Sequence, residues 1–205
     1  MIKNIIFDMG QVLIHWSPQI VTARFALPEE DKALLISEVF GGVEWTAMDR
    51  GRMTPQESFE LISRRLPERL HEAARSVIFE WWKVNLVPME GMEELIAELK
   101  GMGYNIYLLS NASSALNIYF HRLPGAEHFS GRIVSADVKL LKPQHEIYEL
   151  LYSRFSLRPE ECIFIDDSPA NIDGAQCTGM DGIVFRGDVA RLRRELNEKG
   201  IAVKQ

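Results

Sequence analysis

The sequence predicts an α/β fold, in which a mostly parallel β-sheet is covered by helices and a second, helical segment is inserted after the first strand. Short, continuous apolar runs recur along the chain, and such runs are typical of strands buried on both faces. Helical spacing of apolar residues separates the later runs. The stretch 15–86 differs, because it contains helical patterns and no convincing strand.

The apolar runs place the predicted strands in chain order. They lie at 5–7, 104–109, 132–134, 162–165 and 182–185. Between the later strands, apolar residues recur at helical intervals in three groups: Met92, Leu95, Ile96 and Leu99; Ile147, Leu150, Leu151 and Phe155; Val189, Leu192 and Leu196. Strands that alternate with helices of this length imply right-handed crossovers and a parallel sheet.

The stretch 15–86 carries helix signals of its own. Thr54-Pro55-Gln56-Glu57 is a capping box with proline at the first helical position. A further helix is expected over 67–82. We therefore assign residues 1–14 and 87–205 to an α/β core, and residues 15–86 to an inserted helical segment, called the cap below.

Composition excludes several classes of protein. The 205 residues are 46% hydrophobic and 25% charged, as in ordinary globular proteins. No run approaches the ~18 apolar residues of a membrane helix, and Asp8 comes too early for a signal peptide. A net charge of −6 argues against nucleic acid as the main partner. Cys162 and Cys177 suggest neither a disulfide framework nor a metal site. We expect a cytoplasmic monomer or weak homodimer.

Polar residues follow the predicted strands where ligands bind in open α/β sheets. Asp8 ends the first strand, and Ser110-Asn111 ends the second. Lys142-Pro143 follows the third strand, and Asp166-Asp167 ends the fourth. Each feature alone has an ordinary explanation as a turn, a helix cap or a surface lysine. Their order at successive strand ends predicts one shared site.

These residue types suit a phosphate monoester. Asp8 can attack phosphorus without an activating base, because an aspartate is ionised at neutral pH. Asp8 and an acid of the pair Asp166-Asp167 can share Mg²⁺. Lys142 adds positive charge beside phosphate and nucleophile. The Ser110 hydroxyl, with backbone N–H groups around Asn111 at an expected helix start, can bind phosphate oxygens.

This ordered set resembles the haloacid dehalogenase (HAD) superfamily. The four motifs, in chain order, are Phe7-Asp8-Met9-Gly10-Gln11-Val12, Leu108-Leu109-Ser110-Asn111, Leu141-Lys142-Pro143 and Phe164-Ile165-Asp166-Asp167-Ser168-Pro169-Ala170-Asn171. The helical insert also lies where the family has its cap domain. Asp-x-Gly-x-Val, together with the cap segment 49–59 (DRGRMTPQESF), is most similar to bacterial glucose-1-phosphate phosphatase-like members.

The resemblance implies a Rossmann-like core and a Mg²⁺-dependent phosphatase of a small phosphometabolite. Asp8 would form an aspartyl-phosphate, assisted by Lys142. Mg²⁺ would be held by Asp8, the backbone carbonyl of Gly10 and Asp167, with Asp166 supporting these ligands from outside. Ser110, Asn111 and Lys142 would bind the phosphate.

One position departs from the family pattern. Most phosphatases of the superfamily carry a second aspartate two residues after the nucleophile, and here that residue is Gly10. General acid–base help is worth about 10²–10⁴-fold, so its loss favours a substrate with a good leaving group, such as an anomeric sugar 1-phosphate. Alternatively, Gln11 or His15 replaces the acid.

Gly10 leaves two other functions open. Haloacid dehalogenases also lack an acid at this position and need no metal. The pair Asp166-Asp167 favours a phosphatase, since a dehalogenase does not require it. A weakly active module that binds a phosphometabolite would carry the same phosphate-binding residues.

Overall fold

A computed structural model describes residues 1–204; Gln205, the last residue of the assigned core, lies outside the described part. The strands are β1 (Asn4–Phe7), β2 (Ile14–His15), β3 (Val87–Pro88), β4 (Asn105–Ser110), β5 (Phe129–Val134), β6 (Cys162–Asp166) and β7 (Asp181–Val184). The helices are α1 (Pro18–Ala23), α2 (Glu29–Phe40), α3 (Val43–Asp49), α4 (Pro55–Ser63), α5 (His71–Val84), α6 (Met92–Gly101), α7 (Leu116–Tyr119), α8 (Ser135–Val138), α9 (His145–Phe155), α10 (Pro169–Cys177) and α11 (Val189–Glu198).

Five strands form one parallel sheet in the order β5-β4-β1-β6-β7. The predicted fold class is therefore confirmed. Phe7 at the end of β1 is in register with Leu108 on one side and with Ile165 on the other. The chain fills one side of β1 first and then crosses to the other, so the switch in strand order lies at β1.

The two faces of β1 belong to different layers. Ile5 and Phe7 pack in the cluster that includes buried residues of α6, α11 and the cap. Ile6 points the other way, into a cluster with α9 and α10. All four residues of β1 are buried, which explains why Ile5, Ile6 and Phe7 form a continuous apolar run rather than an alternating one.

The helices α1 to α5 follow one another between β2 and β3. These two short strands pair antiparallel, Ile14 with Pro88 and His15 with Val87, so the chain leaves for the cap and returns at one place. The sequence does not predict this ladder, because strands of two residues have no periodicity. The division into core and cap stays our proposal.

Some element boundaries differ from the prediction. The third strand of the sheet begins at Phe129 rather than at residue 132, and the ring of Phe129 packs against Phe7 and Phe120. The helix expected over 67–82 is a 3₁₀ turn at Glu68–Leu70 followed by α5. Pro67 holds an extended backbone before that turn and delays the helix. Within residues 1–204, none of the helices is long and apolar enough to cross a membrane.

Candidate active site

A cavity of about 290 Å³ lies at the carboxyl ends of β1 and β4, between the sheet and the cap. Core and cap both contribute to its wall. The lining residues are Asp8, Met9, Gly10, Gln11, Trp16, Ser17, Pro18, Trp45, Met48, Asp49, Ile78, Trp81, Ser110, Asn111, Ala112, Ser113, Tyr119 and Asp167. Five of the seven predicted site residues are among them, and the other two, Lys142 and Asp166, contact Asp8 or its partners.

A buried lysine joins two aspartates beneath the cavity. Lys142 Nζ lies 2.8 Å from Asp8 Oδ1 and 2.7 Å from Asp166 Oδ2, and its side chain is almost wholly buried. Because β1 and β6 are adjacent in the sheet, their ends bring Asp8 and Asp166 together. The predicted neighbourhood of Asp8 and Lys142 is thus present in the structure, while their catalytic roles stay predictions.

Burial and the neighbouring charges have opposite effects on the pKa values of Asp8 and Lys142. Burial raises the pKa of Asp8 above its usual range; Lys142 lowers it in part, and Asp166 raises it further. For Lys142, burial alone would lower the pKa, but Asp8 and Asp166 outweigh burial and raise it. The expectation that Asp8 is ionised at neutral pH therefore needs a further positive charge in the site.

Three carboxylates cluster at this sheet edge. Asp8, Asp166 and Asp167 each offer an oxygen within 4.8 Å of the others. Burial, then the neighbouring Asp166, raises the pKa of Asp167. Such a set of hard oxygen donors fits Mg²⁺, which binds through a few carboxylates and keeps other positions for water and phosphate.

The side chain of Asp166 is already held by the protein. Its Oδ1 accepts hydrogen bonds from the Ser168 N–H at 2.8 Å and from Asn171 Nδ2 at 3.0 Å, and Oδ2 accepts the bond from Lys142. Asp167, by contrast, is half-buried and lines the cavity. This difference agrees with the predicted division, in which Asp167 binds metal directly and Asp166 supports it.

Gly10 also lines the cavity, so its backbone is near the three carboxylates. A Cβ atom built on Gly10 would meet nothing within 4 Å. The backbone at this position therefore has room for the Cβ atom of the residue that the family pattern would place here.

Ser110 is the last residue of β4; it is buried and lines the cavity, as predicted. Asn111 uses its side chain elsewhere: Oδ1 accepts from the Lys142 N–H at 2.9 Å, and Nδ2 donates to the Lys142 carbonyl at 3.0 Å. The amide thus fixes the segment that carries Lys142 beside the end of β4.

The expected helix start at Asn111 is wrong, because α7 begins only at Leu116. Residues 111–115 form a loop, and at least one of its backbone N–H groups is already hydrogen-bonded within the protein. The Ala112 N–H donates to Ser135 Oγ at 2.9 Å. The Ser113 N–H lies near the carboxyl group of Asp49 and lowers its pKa in part.

Asp49 was not among the predicted site residues. It is the last residue of α3, half-buried, and lines the cavity from the cap side. Burial raises the pKa of Asp49 to about 8, opposed only in part by the Ser113 N–H. Its single sequence signal was its place in the cap segment 49–59, and no periodicity links that segment to the sheet edge.

Aromatic rings form much of the cap side of the cavity. The centroid of Trp16 lies 6.2 Å from that of Trp45 and 6.1 Å from that of Trp81. Tyr119 of the core lies 5.7 Å from Trp81 and stacks on Trp82 at 5.4 Å with 20° between the planes. All four tryptophans thus lie at or next to the cavity.

Of the two residues that the sequence offers as a replacement acid, Gln11 and His15, only Gln11 lines the cavity. Gln11 lines the cavity, but its Oε1 accepts the Trp16 N–H at 2.8 Å. His15 is part of the ladder β2–β3 and is not among the lining residues. Neither position favours proton transfer to a ligand in the cavity.

Comparisons with known proteins agree on one family. A model of haloacid dehalogenase-like hydrolases matches residues 2–179. A sesquiterpene phosphatase of Aspergillus oryzae is 29% identical over 192 residues, 92% of each chain. A phosphorylated carbohydrates phosphatase of Thermotoga maritima is 23% identical, over 88% of this chain and 83% of the relative.

Solved structures show the same fold. One HAD family enzyme of Bacteroides thetaiotaomicron, solved in complex with magnesium and inorganic phosphate, superposes with a TM-score of 0.70 and 24% identity. The match covers 94% of this chain and 99% of that enzyme.

Proposed function

Because this chain belongs to the haloacid dehalogenase-like hydrolases, we propose that it is a Mg²⁺-dependent phosphatase of a small phosphometabolite, with Asp8 as nucleophile. The observation that carries the proposal is the cluster of Asp8, Asp166 and Asp167 beside the buried Lys142. Attack of an aspartate on a phosphate monoester brings two anions together, and a bound cation and a neighbouring lysine both reduce their repulsion.

In the proposed reaction, Asp8 attacks phosphorus and the bond from phosphorus to the ester oxygen breaks. Lys142 holds the attacking carboxylate in place through its 2.8 Å contact. Ser110 and Lys142 bind phosphate oxygens, and Asn111 positions the Lys142 segment. Water then attacks phosphorus of the aspartyl-phosphate, which releases phosphate and restores Asp8. Asp8, Asp167 and the Gly10 carbonyl would hold Mg²⁺, which would supply positive charge for the phosphoryl oxygens.

The acidic cluster weighs against a metal-independent dehalogenase. Three carboxylates within 4.8 Å repel one another unless a cation or protons lie between them. Cleavage of a carbon–halogen bond has no need of this arrangement. It also weighs against a pure binding module, because the ion pair of Lys142 with Asp8 positions a nucleophile as well as a ligand.

For the substrate, we propose a sugar phosphorylated at its anomeric carbon. Gly10 cannot protonate a leaving group, and an anomeric oxygen leaves more readily than an ordinary alkoxide. The rings of Trp16 and Trp45 line the cavity and offer apolar faces on which a sugar ring can stack.

A second substrate class is a phosphate monoester of an apolar alcohol. The same rings, with Met48 and Ile78, make the cap side of the cavity largely apolar. The similarity to a sesquiterpene phosphatase supports this alternative. We also propose a cytoplasmic monomer or weak homodimer with no nucleic acid partner, in keeping with the net charge of −6.

Phosphate release from sugar 1-phosphates, sugar 6-phosphates and a sesquiterpenyl phosphate tests the proposal, with Mg²⁺ and with a chelator. We expect Mg²⁺-dependent release that Asp8→Asn abolishes. Asp173→Asn is the matched control, because Asp173 is exposed on α10 and away from the cavity. Equal turnover of the two sugar phosphates would contradict the anomeric substrate, and full activity of Asp8→Asn would contradict the phosphatase mechanism.

A further inference from the structure

This inference rests on the proposed function, because the in-line geometry of phosphoryl transfer determines where in the cavity a proton donor is needed. In phosphoryl transfer, the attacking and leaving oxygens lie roughly in line across phosphorus. With Asp8 attacking from the core, the leaving oxygen lies on the opposite side, toward the cap. A donor for the leaving group therefore belongs on the cap side of the cavity.

Asp49 is placed there by contacts with the core. The Ser113 N–H lies close enough to its carboxyl group to lower the pKa of that group in part. Its own backbone carbonyl accepts from Ser135 Oγ, which in turn accepts from the Ala112 N–H. Asp49 is thus held to α8 by its backbone carbonyl, and through Ser135 it lies beside the loop of residues 111–115.

The protonation state of Asp49 suits a donor. Burial raises its pKa to about 8, and it forms no salt bridge among residues 1–204. The carboxyl group consequently holds its proton at neutral pH. The other titratable groups of the cavity wall are Asp8 and Asp167 of the acidic cluster and the Tyr119 hydroxyl.

No other cap residue of the wall can do this chemistry. The remaining cap residues that line the cavity are Trp16, Ser17, Pro18, Trp45, Met48, Ile78 and Trp81. None of them carries a carboxyl, imidazole or ammonium group. Asp49 is therefore the one acid that the described cap residues contribute to the cavity.

We propose that Asp49 is the general acid and base of this enzyme and replaces the aspartate that Gly10 lacks. As Asp8 attacks, the bond from phosphorus to the ester oxygen breaks, and that oxygen takes the Asp49 proton and leaves as an alcohol. The Asp49 carboxylate then accepts a proton from the water that attacks the aspartyl-phosphate. Phosphate leaves, and Asp8 and protonated Asp49 are restored.

Two aryl phosphates of similar shape test the proposal. Phenyl phosphate has a basic leaving group and needs a proton donor, whereas p-nitrophenyl phosphate has a good leaving group and does not. In Asp49→Asn, kcat/KM for phenyl phosphate should fall by about 100-fold or more, and that for p-nitrophenyl phosphate by less than about 10-fold. Asp173→Asn should match the unsubstituted enzyme on both esters.

A rescue variant separates chemistry from structure. A Cβ atom at Gly10 meets nothing within 4 Å, so Gly10→Asp is a variant that can return an acid to the family position. Added to Asp49→Asn, it should recover at least about 10-fold of the phenyl phosphate activity.

The outcomes distinguish the two proposals. An unsubstituted protein that hydrolyses neither ester with Mg²⁺ overturns the phosphatase proposal, and this one with it. An active enzyme in which Asp49→Asn changes nothing overturns only the role of Asp49. If Asp49→Asn lowers kcat/KM equally for both esters and Gly10→Asp does not restore it, Asp49 is a structural residue. That result also overturns its role as general acid and base.

Discussion

At the scale of single residues, the raised pKa of Asp49 predicts how the free energy of unfolding depends on pH. Its pKa is about 8 in the folded protein, against about 3.9 for an unperturbed aspartate. Between these pH values the folded state binds more protons than the unfolded chain, so stability is full below about pH 4 and falls as pH rises through about 8.

We therefore expect the free energy of unfolding of the metal-free protein to fall between pH 5 and pH 8. Asp49→Asn should remove about 1–3 kcal/mol of that fall, since each pKa unit corresponds to ~1.4 kcal/mol and Asp49 is only half-buried. Urea unfolding at both pH values measures the difference. Equal pH dependence in the two proteins would show that Asp49 ionises freely in the folded state.

Other charged groups near α3 do not prevent this comparison. On the helices packed against α3, Glu38 is paired with Arg65, Glu57 caps α4, and Asp137 accepts a bond from Asn117. Asp8 and Asp167, on the opposite wall, also have raised pKa values. Their contribution is common to both proteins and cancels in the difference.

The residues of the site differ in how far the sequence predicts them. Asp8, Ser110 and Asp166 end or follow buried strands, and the rule that ligands bind at the carboxyl ends of parallel strands places such residues together. Asp49 ends a helix in an insert. Its position depends on how the cap packs on the core, and no local pattern in the sequence carries that information.

At the scale of elements, the turn after α3 controls where Asp49 lies. Gly51 has a positive φ of 65°, and a Cβ there would overlap the backbone carbonyl of Ala136 in α8. Only glycine allows the cap to approach the core this closely.

Gly51→Ala should lower the free energy of unfolding by about 1–3 kcal/mol and lower phenyl phosphate turnover, because the turn must move away from α8 and takes Asp49 with it. Gly101→Ala is the matched control: its Cβ meets nothing within 4 Å, so it should be neutral or stabilising by up to about 1 kcal/mol. Urea unfolding and initial rates measure both effects. If Gly51→Ala lowers the free energy of unfolding no more than Gly101→Ala does, the close contact between this turn and α8 is not needed for stability.

The elements themselves were predictable to different degrees. Long periodic segments such as α6 and α9 were located correctly because their apolar stripes pack on the sheet. The ladder of β2 and β3 was missed, because its pairing brings together residues 14–15 and 87–88. That contact is set by tertiary structure and not by local propensity.

At the scale of the whole molecule, the net negative charge of the protein is compatible with the proposed phosphate substrate. Of its 29 acidic residues, three form the cluster at the sheet edge, where Mg²⁺ together with Lys142 would neutralise their charge. The net charge of −6 describes the surface as a whole. It therefore says little about the ligand of one cavity.

Detection of a phosphoryl group on Asp8 tests the proposed mechanism most directly. The enzyme is mixed with Mg²⁺ and p-nitrophenyl phosphate, quenched in acid within one turnover and digested for mass spectrometry. We expect the peptide that contains Asp8 to carry one phosphoryl group that survives at mildly acidic pH and is released by hydroxylamine, and Asp8→Asn to show neither the phosphoryl group nor turnover. Turnover in Asp8→Asn, or a phosphoryl group found on another residue, would contradict Asp8 as the nucleophile.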